Sequence, residues 1–203
     1  MKWLFLLWLL PAFLTGEKDD STYAQLRQGD LVFQNLTCGE LCQAILAVTP
    51  CQDGKTFNHC GIVSLTDSGI FVIEAIGEKV QQTPLPVFVS RNEHPVAFAR
   101  LRGREEMART AVARARHYLG RPYDPAFLPG DSALYCSELV WECYQENGRK
   151  MFELQPMTFK APGTDSTFAG WKSYYQQLGM PVPEGVPGIN PCGIANEPFL
   201  EWL

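Results

Sequence analysis

"HCGIVSLTDSGIFVIEAI", residues 59–76, sets two runs rich in β-branched residues on either side of Asp67-Ser68. A short polar turn with glycine after it, between two such runs, predicts a β-hairpin. If Asp67 and Ser68 are the turn, Thr66 pairs with Gly69. Counting back from that pair puts His59 opposite Ile76 and Gly61 opposite Glu74. Side chains alternate along a strand, so His59, Gly61, Glu74 and Ile76 share one side. Glu74 is then the diagonal neighbour of His59, roughly 7–8 Å away at Cα, and Gly61 offers no side chain to block its reach. A carboxylate inside "FVIEAI" is expensive to bury unpaired, and His59 is its expected partner.

A histidine held by a carboxylate can serve a nucleophile. In "YCSELVWECY", residues 135–144, Cys136, Leu139, Val140, Cys143 and Tyr144 recur at helical spacing and form one apolar face. Gly148 follows as an expected helix stop. Cys136 falls in the first turn, where free N–H groups and the positive end of the dipole favour a thiolate. A cysteine in an apolar row is also an ordinary buried hydrophobe. The segment by itself leaves both readings open. Of the other histidines, His94 lies in a loop before Pro95 and His117 lies off the apolar face of its helix.

The chain has 203 residues, and its content of 46% hydrophobic residues is enough for a real core. Lys2, the apolar run Trp3–Leu14 and a small residue at Gly16 read as an export signal over residues 1–16, followed by the polar Glu17-Lys18-Asp19-Asp20. Residues 17–203 are then expected to be one exported domain, soluble because no other long apolar run follows. Without Lys2 the mature chain has sixteen basic and twenty-two acidic residues, a net charge of −6. That acidity, and arginines interleaved along a helix between 100 and 121, argue against nucleic-acid binding. All seven cysteines lie after residue 16, which in an exported protein invites disulfides. Seven is odd, so at least one thiol is left over. No Cys-x-x-Cys pair and no suitably spaced histidine suggests a metal site.

Elsewhere, "GDLVFQNL" predicts a short strand and "GELCQAILAV" a helix ending before Pro50. "EKVQQTPL" continues extended, "PVAFARL" is another strand, and residues 104–119 form a surface helix closed by Gly120. "RPYDPAFLPGDSAL" is a loop leading into Cys136. "DSTFAGWKSYYQQLG" is expected as the last helix, capped by Asp165 or Ser166. "MPVPEGVPGINP" is expected to run irregularly across the surface. Strands in the middle with helices at both ends indicate an α+β fold.

"GDLVFQ", "NHCGIV", "VIEAIGEKVQQTPL", "LGRPYD", "YCSELV" and "VPEGVPGINP" occur in that order. Together they resemble the successive motifs of the YaeF/YiiX family of permuted papain-like amidases, relatives of the NlpC-type cell-wall peptidases. The resemblance runs from about residue 26 to the C-terminus, with the histidine before the cysteine, the reverse of papain. It implies a papain-like core with the cysteine helix packed on an antiparallel sheet or barrel. It further implies Cys136 as nucleophile, His59 as base and later acid, and Glu74 as the residue that orients it. By the same resemblance Tyr123 of "RPYD" is a candidate beside the cysteine, and Tyr135 a weaker one. No cofactor is implied. Cys60 departs from the family, which more often has an aliphatic residue there. Alternation would point it away from His59, into core or a disulfide.

These residues indicate an exported cysteine amidase or peptidase acting on a small peptide, amide or lipid-like substrate, with cell-wall peptides the natural expectation. A thiol acyltransferase or lipid-ester hydrolase would use the same nucleophile. A disulfide-rich secreted binding module would leave Cys136 buried and inert, with no contact between His59 and Glu74.

Overall fold

The computed structural model describes residues 22–91, 94–130 and 132–203; the expected signal at 1–16 lies outside the described residues. The chain runs through β1 (Leu31–Gln34), α1 (Glu40–Val48), β2 (His59–Thr66), β3 (Gly69–Ile76), β4 (Lys79–Pro84), α2 (Leu85–Ser90) and β5 (Ala97–Leu101). It continues through α3 (Glu105–His117), α4 (Cys136–Cys143), β6 (Gln145–Glu146), β7 (Arg149–Lys150), β8 (Gln155–Pro156), α5 (Ala169–Gln177), β9 (Pro187–Gly188), α6 (Pro191–Ala195) and β10 (Leu200–Trp202). Six strands form one antiparallel sheet in the order β10-β5-β1-β2-β3-β4. This is the α+β arrangement expected.

The β2–β3 ladder has the register read from the turn, from Thr66↔Gly69 to Ile62↔Ile73. Its partners on the other side are Cys60↔Phe33 and His59↔Gln34, so β2 is held between β3 and β1. Alternation divides the sheet into two buried faces. Leu31, Phe33, Cys60, Ile62, Ile73 and Ala75 join the cluster built with α3 and α4, including Ala111, Leu139 and Val140. Val32, Val63 and Val72 join Leu85 and Phe88 of α2 on the opposite face. A third cluster lies between α1 and α5, where Ala44 meets Phe159, Trp171 and Tyr175.

"EKVQQTPL" is extended as expected, as far as Pro84, and the unassigned "LPVFVS" that follows is a short helix; Pro86 falls in its first turn, where a missing N–H costs nothing. Several expectations are corrected. Asn147 and Gly148, both at positive φ, form the turn between β6 and β7, and α4 has already ended at Cys143. The helix over 165–179 begins only at Ala169, with Phe168 as its N-cap, and α6 follows it. Gly188 and Ile189 are buried rather than spread on the surface. Two disulfides form, Cys38–Cys42 and Cys51–Cys192, the second spanning 141 residues and tying the loop before β2 to α6. Cys60, Cys136 and Cys143 are free thiols.

Gly61 shows how closely β2 and β3 approach. A Cβ there would lie 2.5 Å from Val72 Cγ1, 3.1 Å from the Ile73 carbonyl oxygen and 3.4 Å from Glu74 Cβ. Gly61→Ala is expected to cost about 1–3 kcal/mol through overpacking, lowering Tm by about 2–4 °C for each kcal/mol in a chain of this size. Gly130→Ala is the control, since its Cβ would meet only the Leu128 oxygen at 3.8 Å. Equal melting of both variants and the parent would contradict this packing.

Candidate active site

Tyr135 has extended backbone and caps α4, so Cys136 is the first helical residue. The carboxylate of Glu138 accepts from the Tyr135 N–H at 3.2 Å and from the Gly130 N–H at 2.7 Å, pinning the helix start to the preceding loop. The Ser137 hydroxyl donates to the Ile189 carbonyl at 2.9 Å, and the Tyr135 hydroxyl accepts from the Ile189 N–H at 3.1 Å. Cys136 is therefore held from both sides while its own N–H, one of the first four of the helix, is left outside the helical ladder.

His59 opens β2 and Glu74 lies near the end of β3, on the face covered by α2. The His59 Nε2–Glu74 Oε2 distance is 2.6 Å, and both residues are buried. The other carboxylate oxygen accepts from the Thr83 hydroxyl at 2.6 Å and from Arg91 Nη1 at 2.7 Å. The His59 ring packs against Phe88, 5.9 Å between centroids. With Nε2 committed to Glu74, Nδ1 is the nitrogen left for Cys136.

Burial alone would lower the His59 pKa, but hydrogen bonds and charge from Cys136 and Glu74 raise it from 6.5 to about 9. Burial would likewise raise Glu74, and His59, Thr83 and Arg91 together bring it below its ordinary value. Cys136 is held well below the ordinary thiol range: a hydrogen bond with the Cys60 thiol contributes most, and His59 and the Cys60 backbone add to it against the effect of burial. Burial and the neighbouring Cys136 push Cys60 well above its ordinary value. The arrangement favours a thiolate–imidazolium pair in a water-poor site.

Cys60 points away from His59 into the core, as expected, but this does not remove it from the site. The helix α4 packs on the Cys60 face of the sheet, so the residue that alternation turns away from His59 is turned toward Cys136. His59 still reaches Cys136 because it is the first residue of its strand. Tyr123 lines the same cavity as Cys136, and its ring stands edge-on to Phe127 at 6.4 Å. Tyr135 also lines it, with its hydroxyl engaged by Ile189.

Thr83 and Arg91 escaped the sequence reading. The turn at Gly77-Glu78 pairs Ile76 with Lys79 and Val72 with Thr83. The hairpin count used for His59 would thus have placed Thr83 diagonally from Glu74. Arg91 depends on α2, which carries no clear helical pattern.

The chain matches the family described as permuted papain-like amidase enzyme, YaeF/YiiX, C92 family, over residues 25–203. It belongs to that family. It is 28% identical over 187 residues to the uncharacterized protein YiiX of Escherichia coli K12, covering 88% of each chain. A crystal structure described as that of metalloprotein yiiX from Escherichia coli O157:H7 superposes with a TM-score of 0.73 at 26% identity, over 88% of this chain and 97% of that one. The residues here do not fit a metal. Among the described residues no group of three or more His, Cys, Asp or Glu could hold one, and both oxygens of Glu74 are occupied by His59, Thr83 and Arg91.

Iodoacetamide is expected to alkylate Cys136 fastest of the three free cysteines. Its rate should persist as the pH falls below about 8.5, where ordinary thiols lose reactivity. Peptide mapping by mass spectrometry measures this, and a pH profile for Cys136 matching the denatured protein would contradict the thiolate assignment.

Proposed function

We propose that the chain is an exported cysteine hydrolase of amide bonds using Cys136, His59 and Glu74. The observation that carries this reading is the buried His59–Glu74 contact at 2.6 Å, with the imidazole also hydrogen-bonded to Cys136 at a helix N-terminus. The Cys136 thiolate attacks the carbonyl carbon, and the Cys136 N–H supports the oxyanion. His59 gives its proton to the departing amine as the C–N bond breaks. Water then attacks the thioester, losing a proton to the neutral imidazole, and the C–S bond breaks to return the thiolate. Glu74 fixes the ring orientation and stabilises the imidazolium, in the manner of the third member of a hydrolase triad. The family, whose description is that of papain-like amidases, supports the reaction class.

Export is part of the same proposal. The apolar run after Lys2 has the form of a signal, and two disulfides suit an oxidising compartment. No described helix is long and apolar enough to cross a membrane.

Cys136→Ser is expected to nearly abolish turnover of an amide substrate. His59→Ala should fall close to it, by about 10²–10⁴-fold or more, because the two act as a unit. Glu74→Gln should lose less, since it orients the base. The wild-type rate should decline as the pH rises through about 9, where His59 gives up the proton needed by the leaving amine. Turnover measured beside thermal melting separates catalysis from folding: full activity in a folded Cys136→Ser protein would place the nucleophile elsewhere.

A further inference from the structure

Beside Cys136 and His59 lies a cavity of about 380 Å³. Its far walls are Leu41, Ile45 and Val48 of α1, together with Phe127, Phe159 and Trp171. Among the described residues that line it there is no Asp, Glu, Lys or Arg, so His59 is its only basic side chain.

The polar groups of Thr49, Trp171, Asn58, Asn190, Ser137 and Tyr135 in the walls are engaged by the protein itself, while Gln155 and Thr158 are exposed. The Thr49 hydroxyl donates to the Ile45 carbonyl at 2.7 Å, and Trp171 Nε1 donates to the Ala44 carbonyl at 3.0 Å. Asn58 exchanges hydrogen bonds with the Leu36 backbone at 2.7 and 2.8 Å. Asn190 Oδ1 accepts from the Gly193 N–H at 2.8 Å. Ser137 and Tyr135 are committed to Ile189, as described above. A peptide bearing carboxylates and amides would lose its hydration there and find few partners, a costly exchange. An aliphatic chain loses nothing and gains burial. The Cys38–Cys42 disulfide lies in the same wall and staples the start of α1, which holds one side of the cavity in place.

We propose that this cavity holds the aliphatic acyl chain of the substrate, so that the carbonyl attacked by Cys136 belongs to a fatty acyl amide rather than to a charged cell-wall peptide. The inference rests on the hydrolase reading above. The acyl half is the one that suits a deep apolar site. It stays bonded to Cys136 as the thioester through both steps, whereas the amine must leave past His59 before water can attack. Atoms balance as in the hydrolysis already given, with a fatty acid and a free amine as products.

The full chain is assayed with coumarin amides of acetic, octanoic and dodecanoic acids. N-dodecylacetamide, which moves the chain to the amine, and an acetylated acidic peptide amide serve as competitors for the assignment. In the acyl series kcat/KM is expected to rise by about fourfold for each methylene added until the cavity is filled. Ile45→Trp, which fills part of the cavity, should shift the preference toward shorter acyl chains. A flat acyl series, or preference for N-dodecylacetamide or the acidic peptide, overturns the acyl assignment and leaves the hydrolase reading standing. If no amide is turned over, the hydrolase reading fails, and calorimetric titration of Cys136→Ala with octanamide and dodecanamide decides the cavity separately. Tighter binding of dodecanamide supports the acyl site; absent or equal binding overturns it.

Discussion

The ion pair between His59 and Glu74 is the constraint around which the site is arranged. A carboxylate with no exposed surface is tolerated only when its charge and lone pairs are met, and removing one partner of such a pair is strongly destabilising. Glu74 meets His59 on one oxygen and Thr83 and Arg91 on the other. These partners come from β2, β4 and the end of α2, so satisfying one side chain fixes three elements against β3. A one-residue slip in the hairpin would turn Glu74 to the opposite face and leave it unpaired. The same contact selects which imidazole nitrogen is available to Cys136. Stability of the sheet edge and orientation of the base thus come from one set of bonds.

Cys136, the proposed nucleophile, is placed by the opposite face of the sheet. Cys136 shares the buried cluster with Cys60 and Ile62, whereas Glu74 belongs to the side covered by α2. A helix start laid over the first residues of β2 can therefore touch both faces at once: Cys60 through alternation and His59 through the strand end. This explains why Cys60 lies against the Cys136 sulfur. A thiol there does what an aliphatic side chain cannot, since it offers a weak hydrogen-bond donor to the Cys136 sulfur.

Much of this was legible in local patterns. The turn at Asp67-Ser68 carried the hairpin register, and the row from Cys136 to Tyr144 carried the buried face of α4, because both depend on periodicities of two and 3.6. Thr83 was within reach of the same counting at the next turn. Arg91 was not, because "LPVFVS" has β-branched residues and two flanking or internal prolines, and becomes helical only by seating Leu85 and Phe88 on the sheet. The contact of Cys60 required knowing which face α4 covers, a tertiary fact that alternation alone does not contain. The 188–191 segment misled for a similar reason. Glycine and proline signalled irregular chain, but Ile189 is buried by hydrogen bonds to Tyr135 and Ser137.

The residues proposed for the chemistry and those that shape the cavity belong to different layers. Cys136, His59 and Glu74 stand on α4 and the sheet, whereas the far walls of the cavity come from α1, α5 and the loops around Phe127 and Phe159. Those walls pack mainly against each other: Trp171 meets Phe159 edge-on at 5.0 Å and bonds the α1 backbone at Ala44. The Cys38–Cys42 link closes α1 locally, and Cys51–Cys192 ties the chain after it to α6. A change in the size of an α1 side chain is therefore absorbed within the wall layer, without passing through the hydrogen bonds that hold Glu74. Substitutions near Thr83 or Arg91 act the other way, on the ionisation of the site with no change in the volume beside it. The fold thus separates the proposed nucleophile and base from the walls of the proposed substrate cavity.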